Sequence, residues 1–276
     1  FSAIKDKKVS ALELTKASLE RINSIDKKEK NNEDNNVNKA KVNNIEIENA
    51  FDKLMTYKST NAELNNNKKI VETLQKKPDY RYMMNKFFIV DGKTSIDKKI
   101  FNPKSLLKVN NKIKKDKTKP QILIYHTHGS EAYANSRKGK KEDTVVGVGK
   151  YLHDILVKNY GYNVIHNTAS YDVIAGKWNR NAYDTALPNI KKIIKDNPTI
   201  EVVIDLHRDS GREKVVSKIN NVKVAKVMFF NGLGRTKAKG EISYLKNPYL
   251  QENLAFSFQM KKACDEYYPG FARNNY

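Results

Sequence analysis

Apolar residues along this chain follow helical and strand periods on either side of a basic, proline-ended stretch. Ser10-Ala11-Leu12-Glu13 has the Ser-x-x-Glu spacing of a capping box, and Leu12, Leu14, Ala17, Leu19 and Ile22 follow at helical intervals. This pattern predicts a helix over about 11–25. From Lys27 to Asn44 the sequence is almost entirely Lys, Asn, Glu and Asp. Such a stretch cannot bury a core and reads as a flexible connection. Helical spacing resumes over 45–78, through Ile45, Ile47, Ala50, Phe51, Leu54, Ile70, Val71 and Leu74. The run Phe87-Phe88-Ile89-Val90, closed by Asp91-Gly92, predicts a strand and a turn. Residues 108–120 are basic, poor in apolar side chains and end at Pro120, which marks a domain boundary.

Beyond Pro120 the two periods alternate. Ile122–Tyr125 is a short apolar run, and Thr144–Tyr160 is helical through Val145, Val148, Leu152, Ile155 and Leu156, ending at Gly161. Tyr162–Ile165 reads as a second strand, and Asp184–Asp196 as a second helix with Ala186, Leu187, Ile190, Ile193 and Ile194. Glu201–Leu206 and Val222–Phe230 are further strands, and Asn253–Tyr267 is a closing helix. Strands alternating with helices predict an α/β fold, a mostly parallel twisted sheet flanked by helices. A smaller α+β N-terminal region precedes it. The expected division is a mostly helical region with a basic, partly flexible linker over 1–115 and a second domain over 116–276.

Composition limits the partners. At about 100–200 residues per domain, the chain makes one large domain or two small ones. Hydrophobic residues form 39% of its 276 positions, enough for a core. No apolar run approaches the ~18 residues of a membrane span. The chain opens on Phe1 rather than Met, so an upstream segment is expected to have been removed. The single cysteine, Cys264, excludes an internal disulfide and a cysteine-based zinc site, leaving His and carboxylate as metal ligands. Lys and Arg number 52 against 31 Asp and Glu, a net charge of +21, yet only eight of the cations are Arg. Nucleic-acid readers lean on the arginine fork, whereas a lysine field is diffuse. The charge predicts attraction to some polyanion, whether nucleic acid, anionic lipid or a teichoic-acid-rich wall; the shortage of Arg weighs against nucleic acid, but composition alone does not choose the partner.

Two segments concentrate the chemistry. Tyr125-His126-Thr127-His128-Gly129-Ser130-Glu131 follows one strand, and Asp205-Leu206-His207-Arg208-Asp209 ends another. Ligands collect outside the carboxyl ends of strands in open α/β sheets, so the two segments can face one cleft. A catalytic zinc takes three protein ligands and keeps a fourth position open. His128, Glu131 and His207 supply that set, while Asp205 or Asp209 can hold the far N–H of a ligating His. Arg208 can pair with a substrate carboxylate. Strand alternation puts His126 and His128 on one side, and Asp205, His207 and Asp209 on another. His153 and His166 read as ordinary packing residues, and Gly232-Leu233-Gly234-Arg235 as a loop, since no helix opens from it. Trp178, near Tyr183, can meet a glycan if exposed, but partial burial is expected.

These two histidine segments, extended to Ala132-Tyr133, resemble the stage II sporulation protein P family, zinc-dependent cell-wall hydrolases of endospore-forming bacteria. Phe88-Ile89-Val90-Asp91-Gly92-Lys93-Thr94, Gly147-Val148-Gly149, Asn253-Leu254-Ala255 and Pro269-Gly270 also match, so the resemblance covers roughly residues 85–276. It implies a domain similar to amidase-3 enzymes, with Zn2+ on His128, His207 and either Glu131 or Glu142, Glu131 being preferred. It implies an N-acetylmuramoyl-L-alanine amidase, also an endopeptidase on stem peptides, active in septal thinning and engulfment. Stage II sporulation proteins D and M are the implied partners, with an N-terminal membrane anchor and an extracytoplasmic location. The family's late-strand Glu, a general acid and base, has no counterpart here, so the catalytic domain is expected to be C-terminally incomplete. Asp209, Arg208 and His126 are the expected catalytic residues, His126 as a positioning or substrate-orienting group. The rival readings are a carboxypeptidase-like zinc peptidase and a non-enzymatic basic module that binds wall polyanions.

Overall fold

The computed structural model describes residues 61–276 apart from 135, 211–214, 220 and 221. The predicted helix over 11–25, the polar stretch to Asn44 and the first part of the 45–78 helix lie outside these residues. The described chain is a mixed α/β structure with a small parallel sheet flanked by helices.

Three helices come first: α1 (Asn61–Lys76), α2 (Tyr80–Phe87) and α3 (Pro103–Lys108). Side-chain oxygens of Asp79 and Asn102 accept from the backbone N–H of Tyr82 and Ser105, capping α2 and α3. The strand expected at Phe87–Val90 is not formed. Phe87 ends α2, and Phe88 makes only an isolated bridge to Asn275. A short apolar run fits a helix end as well as a strand, and here its aromatics decide the outcome by packing. Phe87 and Phe88 lie 5.1 and 5.9 Å, ring to ring, from Phe258, and Phe88 also meets Phe101 edge-on.

The sheet follows. β1 (Ile122–Tyr125), β2 (Val164–His166) and β5 (Val202–Asp205) are parallel in the order β2-β1-β5. Between them in the chain come α4 (Val145–Lys158), the hairpin β3 (Val173–Ile174) and β4 (Lys177–Trp178), and α5 (Ala182–Asp196). The two-residue period of β1 sorts its side chains between two cores. Ile122 and Ile124 join Leu152 and Ile155 of α4, whereas Leu123 joins Ala186 and Ile190 of α5. With β2 and β5 on opposite sides of β1 and the helices on opposite faces, the carboxyl end of β1 is a topological switch point, the place where open α/β sheets bind ligands.

The fourth predicted strand is shorter than expected and outside this sheet. β6 (Val216–Ile219) and β7 (Val222–Ala225) form an antiparallel hairpin. A smaller pair, β8 (Arg235–Thr236) and β9 (Gly240–Glu241), precedes α6 (Leu250–Tyr267). The closing helix α6 turns away from the sheet. Leu254, Ala255 and Phe258 complete a core with Leu74, Met83, Met84, Phe87, Phe101 and Leu106. Its far end packs Cys264 with Ile219, Val224, Tyr268 and Phe271. Of residues 108–120, where the boundary is expected, Lys108 ends α3 and the rest contain no helix or strand, while α6 packs on the helices that precede them.

Phe258 is wholly buried among the aromatics of α2 and its following loop. Phe258→Ala is expected to cost about 3–5 kcal/mol, measured as a lowered midpoint in urea unfolding at unchanged slope.

Candidate metal centre

β1 and β5 are in register, Tyr125 opposite Asp205, so the segments after them leave the sheet side by side. Leu206 N–H donates to the Tyr125 carbonyl at 2.9 Å, extending the ladder past the strands. Asp205 then ties the two segments together. Its carboxylate accepts from Thr127 N–H at 2.9 Å and from the Thr127 hydroxyl at 2.6 Å. The same carboxylate lies 3.0 Å from Nε2 of His207, which fixes that ring's orientation.

Opposite it, residues 127–130 form a turn in which Glu131 N–H donates to the His128 carbonyl at 3.1 Å. The turn brings Glu131 and His128 to the same side. Glu131 accepts the backbone N–H of Arg208 and stands 3.5 Å from His207 Nδ1. His128 Nδ1 stands 3.4 Å from His207 Nδ1. Donor atoms of His128, Glu131 and His207 all fall within 4.8 Å of one another.

These separations fit a tetrahedral ion. With bonds of about 2.0–2.1 Å, zinc ligands lie about 3.3–3.4 Å apart, close to the two edges seen. The tautomer fits as well. An Nε2–H donated to Asp205 leaves the Nδ1 lone pair of His207 facing the other two donors. Without a metal the same carboxylates hold a proton there. Burial pulls the His207 pKa down, but Asp205 and Glu131 outweigh it and raise it to about 9.

The other candidates sit elsewhere. His126 does not share the surroundings of His128, because the strand's alternation ends at Tyr125 and the turn redirects His128. His126 is 0% exposed, on the α4 side of the sheet. Its Nδ1 lies 2.9 Å from the Leu206 carbonyl and its Nε2 2.9 Å from Nε2 of His166. A carbonyl only accepts, so Nδ1 carries the hydrogen and the pair is completed by His166 Nε2–H. Burial lowers the pKa of both rings, His166 to about 4 with help from neighbouring His126, which keeps them neutral. Gly149 makes room for this pair, since a Cβ there would come within 2.5 Å of His126 Nε2. His126 therefore braces Leu206, the neighbour of His207. The pairing with His166 was missed by sequence reasoning, although His166 ends the adjacent strand opposite Ile124.

Asp209 is exposed and pairs with Arg273, not with an imidazole. Of the two aspartates considered for His207, Asp205 is the one in contact. Arg208 contributes its backbone N–H to Glu131, its Nη1 bonds the Asp209 carbonyl, and its Nε is buried without a hydrogen-bond partner. Glu142 is half-exposed in a short 3-10 turn and bonds Arg137 at 3.2 Å, apart from the triad. Trp178, expected to be partly buried, is 60% exposed and lies over His128.

A parallel α/β sheet whose strand ends converge two imidazoles and a carboxylate defines a protein with a candidate metal centre. The sequence pattern of the Stage II sporulation protein P (SpoIIP) family matches residues 4–276. The chain belongs to that sporulation protein family. It is 26% identical over 165 residues to Stage II sporulation protein P of Bacillus subtilis (strain 168), covering 56% of this chain and 38% of the relative. The chain thus spans well under half the length of that relative. No solved structure matches.

Metal uptake must displace the proton on His207. The sign follows from the raised pKa: protonation competes below about 9 and ceases above it, so zinc affinity should rise with pH and level off near 9. Asp205→Asn should move that profile toward the ordinary histidine range of about 6.5. It should also lower affinity at pH 9 by about 10–100-fold. Competition with a chromophoric chelator across pH measures both effects.

Proposed function

We propose that this chain is a zinc-dependent peptidoglycan hydrolase, an N-acetylmuramoyl-L-alanine amidase with endopeptidase activity on cross-linked stem peptides. The observation that carries this reading is the convergence of His128, Glu131 and His207 at near-tetrahedral spacing, in a chain of the SpoIIP family. A zinc ion bound there supplies Lewis acidity, which activates water and polarises the scissile amide carbonyl.

The chain's own residues prepare that chemistry. Asp205 accepts the His207 Nε2 proton and keeps Nδ1 free as a ligand. Thr127 holds Asp205 with two hydrogen bonds, and the Arg208 N–H holds Glu131, so neither carboxylate must reorganise when metal arrives. Burial and the neighbouring Asp205 carboxylate, which the Tyr125 hydroxyl faces as a donor, drive the Tyr125 pKa up, so it stays protonated. The Arg208 guanidinium, next in the chain to His207, is the cation for a stem-peptide carboxylate. The net charge of +21 draws the chain to the anionic wall.

In this reading the enzyme works outside the cytoplasm during septal thinning and engulfment, held at the membrane by an N-terminal anchor upstream of Phe1. Among the described residues no helix is long and apolar enough to cross a membrane. Stage II sporulation proteins D and M are its proposed partners.

Digestion of purified sacculi tests the reading. The zinc-loaded chain, supplied with the late-strand Glu segment that the family carries, should release intact stem peptides and leave the glycan whole, by product mass. EDTA and His207→Ala should each lower release by at least about a hundredfold. Release of single C-terminal amino acids would mark a carboxypeptidase. Wall binding that salt abolishes, with no products and no response to EDTA, would mark a polyanion-binding module.

A further inference from the structure

Two large aromatic rings border the triad, and the reading above gives neither a role. Trp178, at the end of β4, is 60% exposed, and Tyr183, in the first turn of α5, is 61% exposed. The Trp178 ring lies nearly parallel to His128, with centroids 6.1 Å apart. Tyr183 stands edge-on to His128 at 5.1 Å and stacks on His207 at 6.3 Å. We propose that Trp178 and Tyr183 form a saccharide subsite that seats an amino-sugar ring of the glycan strand beside the metal triad. This proposal rests on the reading of the chain as a wall hydrolase and names the part of the substrate those rings hold.

The rings are held in place by a braced unit. Asn179 donates its backbone N–H to the Asp172 carbonyl, and its side-chain amide to the Tyr171 carbonyl and the Thr185 hydroxyl, each at 2.8 Å. The hairpin behind Trp178 is thereby fixed to the helix that carries Tyr183. Asp172 is wholly buried and accepts from Ser130, through both N–H and hydroxyl, inside the loop that carries His128 and Glu131. Hairpin, helix start and metal loop are therefore tied together by hydrogen bonds. The hairpin turn also stores strain. Ala175 has φ +49° and Gly176 φ +75°, the left-handed pair of a two-residue turn, with alanine where glycine or asparagine is favoured. That turn sets Trp178 opposite Val173.

The surroundings suit a sugar better than a protein anchor. Interface anchors sit in apolar pockets sealed from water. Around Trp178 the chain instead presents the exposed Lys177, Arg180 and Asn181, a polar edge beside a flat apolar face. A pyranose needs that combination: its ring C–H groups pack on the electron-rich aromatic face, while its hydroxyl and N-acetyl groups bond polar side chains. Position argues the same way. The amide cut by an amidase joins sugar to peptide, so a sugar must lie within one ring of the metal donors when the bond is placed there.

Trp178 is the chain's only tryptophan, so its emission reports the site directly. The full chain is titrated in EDTA with chitotetraose, a peptide-free amino-sugar oligomer, and separately with free stem peptide. Chitotetraose should give a saturable blue shift, and stem peptide none. Tyr183→Ala should weaken that binding by about tenfold. Trp178→Ala should raise KM for a glycan-bearing muropeptide by a similar factor, with kcat and bound zinc retained, and Trp178→Phe should recover most of the loss. No response to chitotetraose, a response to stem peptide alone, or an unchanged KM in Trp178→Ala would overturn the subsite. The two readings fail separately. Sugar binding without cleavage of sacculi contradicts the hydrolase, whereas cleavage without sugar binding contradicts only the subsite.

Discussion

The in-register pairing of β1 with β5 is the constraint on which the site depends. Tyr125 opposite Asp205 places two chain segments, some eighty residues apart, at one edge of a sheet. Asp205 converts that proximity into geometry. One carboxylate holds the backbone and hydroxyl of Thr127 and orients the ring of His207. On the other side of the sheet, His126 holds the Leu206 carbonyl and is itself held by His166, in the space that Gly149 leaves open. A register slip of one residue would turn Asp205 and His207 to the opposite face and disperse the donors.

Burial and charge are divided sensibly between the two histidine pairs. His126 and His166 are pressed toward neutrality by desolvation and serve as a hydrogen-bonded strut. His207 lies between two carboxylates, which gather positive charge there, whether a proton or a metal ion. Neighbouring strands thus supply one ring type in two roles, and the nearest charges decide which role each ring takes.

Much of this was legible in the sequence where period and length agree. α4, α5 and the three parallel strands lie within a few residues of their predicted positions, because alternating burial on two faces leaves a clear pattern. His128 and Glu131 were legible as a pair because a single turn links them. The Phe87–Val90 run was misread because its destination is α6, nearly 170 residues later, which local pattern cannot show. The β6–β7 hairpin was misplaced for a similar reason, since its core partners are Cys264, Tyr268 and Phe271. Asp205 could not be separated from Asp209 on strand alternation, which gives both the same face as His207. Only the three-dimensional contacts separate them: Asp205 touches His207, and Asp209 pairs with Arg273. The exposure of Trp178 likewise depends on how a strained turn meets α5 and not on its neighbours in the chain.

X-ray absorption at the zinc edge, on the loaded chain, reads whether His128, Glu131 and His207 hold the ion. A four-coordinate shell of nitrogen and oxygen at about 2.0–2.1 Å is expected, with outer-shell scattering from two imidazoles, one of them lost in His128→Ala. A shell without imidazole scattering, or one that His128→Ala leaves unchanged, would contradict that assignment.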